Sequence, residues 1–171
     1  MLIPLNIPFF DASEFPTNEV KYTDPHLFIA LSKQRQIFDD FLNGCTIRPS
    51  RAAGALARLD GLETSQHFAK KNMSRLSCAC DWFPGRGPSI LQVFNLVVSS
   101  GLWGGVGVYF NKFSNSAWSK DIMLHTDLRP KDKYPFTFIW FDDKEGIRHY
   151  PQFSPIEMIA FNRLLMEADY D

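Results

Sequence analysis

The chain has 171 residues, of which 45% are hydrophobic and 15% aromatic, so it can fill one core but is short for two ordinary domains. Its 18 basic and 19 acidic residues leave a net charge of -1, which excludes a strong overall attraction to nucleic acid or anionic lipid. No apolar run approaches the roughly 20 residues that cross a bilayer. We therefore expect one domain with no nucleic-acid partner and no membrane insertion.

The chain begins with an irregular segment and continues into a clear helical pattern. Residues 1–24 are rich in Pro, Asn and Asp and predict an extended N-terminal arm, followed by a single domain over 25–171. Asp24-Pro25 is typical of a helix start, and apolar residues at helical spacing continue to Asn43-Gly44. We expect a helix between these two signals.

Short strands and two further helices follow. A continuous apolar face before Gly101 predicts a helix over 89–100, and Ser154 with Pro155 starts the last helix, over 154–168. The predicted strands are 45–47, 77–83, 106–110, 123–128 and 136–141, with a loop or weak helix over 48–62. This order predicts an α+β domain, with a mainly antiparallel sheet and helices on one face.

Three polar residues have the chemistry of metal ligands. His67, Asp81 and His125 offer imidazole and carboxylate, and a catalytic zinc site uses three such ligands with a fourth position open. In the segment around His125, strand alternation places His125, Asp127 and Arg129 on one face. The alternative interpretation is a solvated strand face with a surface ion pair, an exposed His67 and an Asp81 that ends a strand.

Five segments follow one another in a recognisable order. They are Arg48-Pro49-Ser50-Arg51, Ser65-Gln66-His67, Ala79-Cys80-Asp81, Gly104-Gly105-Val106-Gly107-Val108-Tyr109 and His125-Thr126-Asp127-Leu128-Arg129. With these segments, over about residues 25–140, the chain resembles the zinc D-Ala-D-Ala carboxypeptidase and L-Ala-D-Glu endopeptidase family of peptidoglycan peptidases. That family shares the Hedgehog/DD-peptidase fold, which the resemblance implies for this chain.

The resemblance implies a zinc-dependent peptidase that hydrolyses peptide bonds in bacterial peptidoglycan, as a carboxypeptidase or an endopeptidase. Its Zn²⁺ would be held by His67, Asp81 and His125. The bond cut stays open between the terminal D-Ala-D-Ala link, the L-Ala-D-Glu link and a cross-bridge. Residues 1–10 lack the features of a signal peptide, so we expect a protein cytoplasmic when made. It would reach the periplasm or cell wall by phage-type release, in a virion or through a toxin secretion device.

The resemblance also implies two catalytic residues, each with alternatives. Asp127 is the first candidate for the general base, because Ile122 stands where some relatives carry Glu. Asp121 is the second candidate, and Asp127 is alternatively a second-shell residue or a ligand. Arg51 is the candidate for stabilising the oxyanion. The fallback cations are Arg48 and Arg129.

One departure from the family pattern concerns spacing. The chain between His67 and Asp81 is longer than in the family, so residues 70–76 must form an insertion that leaves both ligands in place. We expect this insertion to be an exposed, mobile loop. The altered spacing also supports the alternative function, a non-catalytic zinc-containing module that binds peptidoglycan or a protein partner.

Other motifs have simpler interpretations. Glycines 104, 105 and 107 lack the context of a phosphate-binding loop and predict close backbone packing beside the metal strand. Cysteines 45, 78 and 80 form no second metal motif and are expected to be ordinary thiols. The aromatic residues are candidates for a substrate groove or for the core: Trp82, Trp103, Tyr109 and Trp118.

Overall fold

A computed structural model describes residues 9–85, 87–110, 122–130 and 136–168. Over these ranges the chain is an α+β fold with a mixed six-stranded sheet and four α-helices. The strands are β1 (Ile47–Pro49), β2 (Ala79–Pro84), β3 (Gly105–Tyr109), β4 (Met123–Asp127), β5 (Phe138–Asp142) and β6 (Arg148–His149). The helices are α1 (Thr17–Val20), α2 (Pro25–Phe41), α3 (Ile90–Ser99) and α4 (Pro155–Glu167), with 3-10 turns at Ala12–Glu14 and Pro151–Phe153.

The strands lie in the order β1-β2-β4-β3-β5-β6. The pairs β1–β2, β2–β4, β3–β4 and β5–β6 are antiparallel, whereas β3 and β5 are parallel. The prediction of an α+β domain with a mainly antiparallel sheet is confirmed, with one parallel pair added. The parallel pair arises because β5, which follows β4 in the chain, does not pair with β4. It pairs with the other edge of β3.

The two faces of the sheet have opposite character. One face is apolar and buries Cys80, Trp82, Val106, Val108, Leu124 and Phe141 in the core. Helices pack on this face: the ring of Phe38 in α2 lies 6.0 Å from that of Trp82, and Phe161 in α4 stacks on Phe141 at 4.9 Å. Because side chains alternate along a strand, Asp81, His125 and Asp127 lie on the other face.

Local capping signals set the helix starts. The side chain of Asp24 accepts a hydrogen bond from the His26 amide at α2, and that of Ser154 accepts one from the Glu157 amide at α4. Ser89 forms a reciprocal capping box at α3. A cap of this kind contributes about 1 kcal/mol to helix stability. The predicted boundaries of the long helices therefore agree with the structure to within about two residues.

Strand starts were predicted less well. The first strand was expected at 45–47 but covers Ile47–Pro49, because the Cys45 amide bonds to the Leu42 carbonyl in the turn that closes α2. Proline is tolerated in β1 because this strand is at the sheet edge. The two-residue β6 was not predicted. Among the described helices, none has the length and hydropathy that spanning a membrane requires.

Candidate metal centre

His67, Asp81 and His125 converge on one point of the polar sheet face. Asp81 in β2 lies directly opposite His125 in β4. His67 Nε2 is 3.1 Å from His125 Nδ1 and 3.2 Å from Asp81 Oδ1, and His125 Nδ1 is 2.9 Å from the same oxygen. His67 comes from the long loop before β2, where its carbonyl accepts a bond from the Arg58 amide at 2.7 Å. The three predicted ligands thus form a single group, buried at 4 to 7% exposure.

In each imidazole, one nitrogen forms a hydrogen bond that points away from the three-residue group. That bond determines which nitrogen carries the proton and which one has a lone pair directed into the group. His125 Nε2 lies 3.1 Å from Oδ2 of the buried Asp127 carboxylate, which can only accept, so Nε2 carries the proton. His67 Nδ1 lies 3.4 Å from the Leu56 carbonyl and donates to it. If both imidazoles were neutral in these tautomers, two lone pairs would point at each other and at Asp81 with no proton between them. This arrangement favours a cation.

The electrostatics of the group agree with that requirement. Burial alone would lower the pKa of His125, but the hydrogen bonds that Asp127 and Asp81 accept from it, and their negative charges, raise the pKa to about 9. Burial alone would raise the pKa of Asp81, but the neighbouring histidines lower it well below its usual range. The carboxylate is therefore ionised at neutral pH. At neutral pH, and without a bound cation, His125 therefore holds an additional proton that balances the negative charge of Asp81.

The donor set fits a divalent metal ion. His67, Asp81 and His125 form the one group within the described ranges whose donor atoms all lie within 4.8 Å of one another. Atoms about 3 Å apart can all reach one ion at bond lengths of about 2.0–2.1 Å, and three protein ligands leave a position open. Two imidazoles and one carboxylate suit zinc and its neighbours in the first transition series.

Asp127 supports a ligand and does not face the group itself. It is fully buried, and its Oδ1 accepts from the backbone amide of Arg129 at 3.0 Å and from Nε at 2.9 Å. Its Oδ2 accepts from Arg129 Nη2 at 2.6 Å and from His125. Burial would raise its pKa, but these hydrogen bonds hold the pKa well below its usual range. Both oxygens are occupied on the outer side of the imidazole, which favours a role for Asp127 in orienting His125 over the role of general base.

The glycine-rich segment makes room for this arrangement. A Cβ at Gly105 would lie 2.5 Å from Asp127 Oδ2 and 2.6 Å from Arg129 Nε. A Cβ at Gly107 would lie 2.5 Å from the ring of Trp140, which packs 5.0 Å from the His125 ring. The predicted close backbone packing of these glycines is confirmed, and the strand beside them is β4, which carries His125.

The group opens into a cavity of about 590 Å³. Three arginines, two acidic residues and two large aromatic rings contribute to its wall: Arg58, Arg129, Arg148, Asp60, Asp81, Tyr109 and Trp140. Burial raises the pKa of Tyr109 to about 12, with the nearby Asp81 charge adding to the effect, so its hydroxyl stays protonated and can donate. The cavity therefore offers hydrogen-bond donors beside the three candidate ligands.

The structure does not bring Arg51 to the cavity wall. This residue is exposed, and its guanidinium donates to the Ser13 carbonyl in the N-terminal arm. Arg48 donates to the Pro84 carbonyl at the sheet edge. Of the three cations considered from the sequence, Arg129 lines the cavity, where it is paired with Asp127.

The remaining sequence candidates fall into distinct places. Trp82 and Trp103 are fully buried in the core, so of the three aromatic candidates that the structure describes Tyr109 is the cavity residue. Cys80 faces the core, where burial raises its pKa well above the usual value, and Cys78 is half-buried beside Gln66. Asp121 and Trp118 lie outside the described residues.

The insertion forms a turn on the surface. The Lys70 amide bonds to the Arg75 carbonyl at 2.9 Å, and the Met73 amide to the Lys70 carbonyl at 2.8 Å. Residues 70–74 are exposed, as predicted. His67 and Asp81 remain in contact on either side of this turn.

Sequence reasoning missed Trp140, Arg148 and Asp60. Trp140 and Arg148 lie on β5 and β6, and neither strand contains a recognisable motif. Strand pairing is the feature that locates Trp140 at the site. Trp140 pairs with Gly107, which in turn pairs with His125. These pairings place all three residues in one row across the sheet.

Comparison with protein-family models, with curated proteins and with solved structures finds no match to this chain.

Proposed function

We propose that this protein is a zinc-dependent peptidase that hydrolyses peptide bonds in the stem peptides or cross-links of bacterial peptidoglycan, in phage-type cell-wall lysis. The observation that carries the proposal is the inward convergence of His67 Nε2, His125 Nδ1 and Asp81 Oδ1 beside an open cavity. Three such donors with one free side are the pattern of catalytic rather than structural zinc sites.

The Hedgehog/DD-peptidase fold is part of the same proposal. Its support is the order of the five motif segments, combined with an antiparallel β2–β4–β3 unit that carries the ligands on the face opposite the helices. Peptidoglycan as substrate rests on the sequence resemblance alone. The cavity contributes the space and polarity that a short peptide needs.

Each side chain of the group has a defined task in this proposal. His67, Asp81 and His125 hold the ion, while Asp127 fixes the tautomer and ring orientation of His125. Arg129 in turn holds Asp127 through two side-chain hydrogen bonds. When bound, zinc supplies a water of lowered pKa and polarises the scissile carbonyl. Tyr109 and Arg148, on the cavity wall, donate hydrogen bonds to substrate oxygens.

The residue that accepts the proton from water must have a carboxylate oxygen that is accessible from the cavity. Of the carboxylates that line the described part of the cavity, Asp81 belongs to the ligand group, and Asp60 is exposed. Asp127 has no free oxygen lone pair directed at the cavity. Asp60 is therefore our candidate for taking a proton from water and returning it to the leaving amine.

One observation favours a non-catalytic alternative. The two residues expected to carry catalysis, Asp127 and Arg51, are engaged elsewhere, by Arg129 and by Ser13. A site that keeps the metal without a committed base would serve as a zinc-containing module that binds peptidoglycan or a protein partner. The experiment must therefore separate binding from hydrolysis.

The test uses the full chain loaded with zinc and incubated with purified peptidoglycan and defined muropeptides. We expect zinc-dependent release of peptides, lost in His67→Ala and retained in His26→Ala, whose side chain is 81% exposed and outside the site. Mass spectrometry of the products would reveal a lost terminal D-Ala, a cut L-Ala-D-Glu bond or an opened cross-bridge. Bound zinc with peptidoglycan retention but no release would establish the alternative, and a parent chain that takes up no zinc would refute both.

A further inference from the structure

A buried carboxylate in the N-terminal arm lies behind the metal centre. Glu19 in α1 is 6% exposed, and its two oxygens accept hydrogen bonds from three backbone amides. Oε1 accepts from Gly54 at 2.7 Å, and Oε2 accepts from Leu56 at 2.9 Å and from Ala57 at 3.0 Å. Such charge-assisted hydrogen bonds are among the stronger ones in proteins. These hydrogen bonds therefore hold residues 54–57 against the N-terminal arm.

The opposite side of residues 54–57 holds two of the metal ligands. The Ala55 carbonyl accepts from the Asp81 amide at 2.9 Å. The Leu56 carbonyl accepts from the Ser77 hydroxyl and faces His67 Nδ1. This second contact is the one that leaves His67 Nε2 unprotonated and directed at the ion.

We propose that Glu19 is a positioning residue for the metal centre: by holding the amides of Gly54, Leu56 and Ala57, it fixes the carbonyls that orient His67 and Asp81. The inference rests on the proposed metal site. It adds that the N-terminal arm, which contributes none of the three ligands, is required for metal affinity.

The chemistry of the contact explains why a carboxylate stands here. All three partners are N–H donors, so the group between them must accept at both ends. Gly54 has φ +81°, a conformation that other residues rarely adopt, and it brings its amide to the same carboxylate as those of Leu56 and Ala57. An amide side chain at position 19 would turn one N–H group against these donors.

A purely structural role for Glu19 makes a different prediction. In that case Glu19 would only attach the arm, and its loss would lower stability without changing the metal site. Glu14 provides the matched control, because it is in the same arm and anchors it to α2 through Arg35, at 2.6 and 3.1 Å. Glu14→Gln removes the same charge from the arm but touches neither residues 54–57 nor a ligand.

The experiment compares Glu19→Gln, Glu14→Gln and the parent chain. Zinc affinity is measured by competition with a chromophoric chelator, and ligand geometry by the visible spectrum of the Co²⁺-loaded protein. We expect the zinc Kd of Glu19→Gln to rise about 10- to 100-fold, the range for outer-shell partners of metal ligands, with an altered cobalt spectrum. Glu14→Gln should match the parent in both.

Equal zinc Kd values in folded Glu19→Gln and in the parent would overturn the inference, whereas a parent that binds no zinc would instead overturn the proposed function. If Glu19→Gln does not fold, amide hydrogen exchange in the parent decides. Because coupling is reciprocal, zinc should slow exchange at Gly54, Leu56 and Ala57 but not at Asp11, whose amide bonds to Glu14. Equal exchange at the three amides with and without zinc would refute the role of Glu19.

Discussion

Replacing Asp127 with Asn distinguishes a residue that orients a ligand from one that transfers a proton. The wild-type carboxylate accepts four hydrogen bonds on two oxygens, three from Arg129 and one from His125 Nε2. Asparagine keeps the shape but accepts on one oxygen only, so its amide nitrogen must face either the Arg129 donors or His125. In the second orientation His125 is driven to move its proton to Nδ1, the nitrogen that would bind the metal in the proposed site.

The expected effect is large for both metal affinity and stability. Disturbing an outer-shell partner of a metal-bound histidine weakens metal binding by about 10- to 100-fold, which corresponds to about 1.4–2.7 kcal/mol. Breaking a buried ion pair on one side destabilises a fold by about 3–5 kcal/mol. We therefore expect Asp127→Asn to bind zinc more weakly and to unfold at lower denaturant concentration.

Zinc affinity is measured by chelator competition, at a temperature where circular dichroism finds the variant folded. Asp142→Asn is the matched control, since Asp142 forms a similar pair with Arg148, at 2.7 and 3.0 Å, without contacting a ligand histidine. Its zinc Kd should stay within about twofold of the parent, as expected for independent sites. An unchanged zinc Kd in Asp127→Asn together with lost hydrolysis would refute the orienting role and restore Asp127 as the base.

Three further predictions concern protons, the insertion and the glycine strand. Because the free site holds a proton on His125 with a pKa of about 9, zinc must displace it, and zinc affinity should fall about tenfold for each unit of pH below that value. Calorimetry in buffers of different ionisation enthalpy should detect about one proton released at neutral pH, and a pH-independent affinity would contradict the site. Shortening the exposed turn within 70–76 should leave zinc content unchanged, and a variant without zinc would mean that the ligands are misassigned. Gly107→Ala should destabilise the fold by about 1–3 kcal/mol and alter tryptophan fluorescence, since its Cβ would meet the Trp140 ring at 2.5 Å, whereas an unchanged unfolding curve would refute that packing.

Local sequence signals were sufficient to predict the helices whose ends are marked by their own capping residues. Asp24-Pro25 and Ser154-Pro155 fixed two helix starts, because a side-chain acceptor next to a proline satisfies the first turn without help from distant residues. The strand at β1 was misplaced by two residues, since its ladder is defined by pairing with β2. A strand has no internal hydrogen bonds that could mark its ends.

The amino-acid sequence by itself determined the donor types and their faces. Alternation in β4 placed His125 and Asp127 on one side of the sheet, and the chemistry of imidazole and carboxylate identified the three candidate ligands, which the structure brings within 3.2 Å of one another. The alternation depends on neighbours two residues apart, which the chain itself holds in place, and the ligand set depends on side-chain chemistry and the order of the motif segments.

Tertiary structure decided the roles of the other polar residues. Only packing between distant segments directed Arg51 to the arm and brought Glu19 against the amides of residues 54–57. Each of these outcomes depends on which donor and which acceptor the fold brings together. That is settled by contacts across tens of residues, because a hydrogen bond requires partners about 3 Å apart and sequence spacing does not specify such distances between loops.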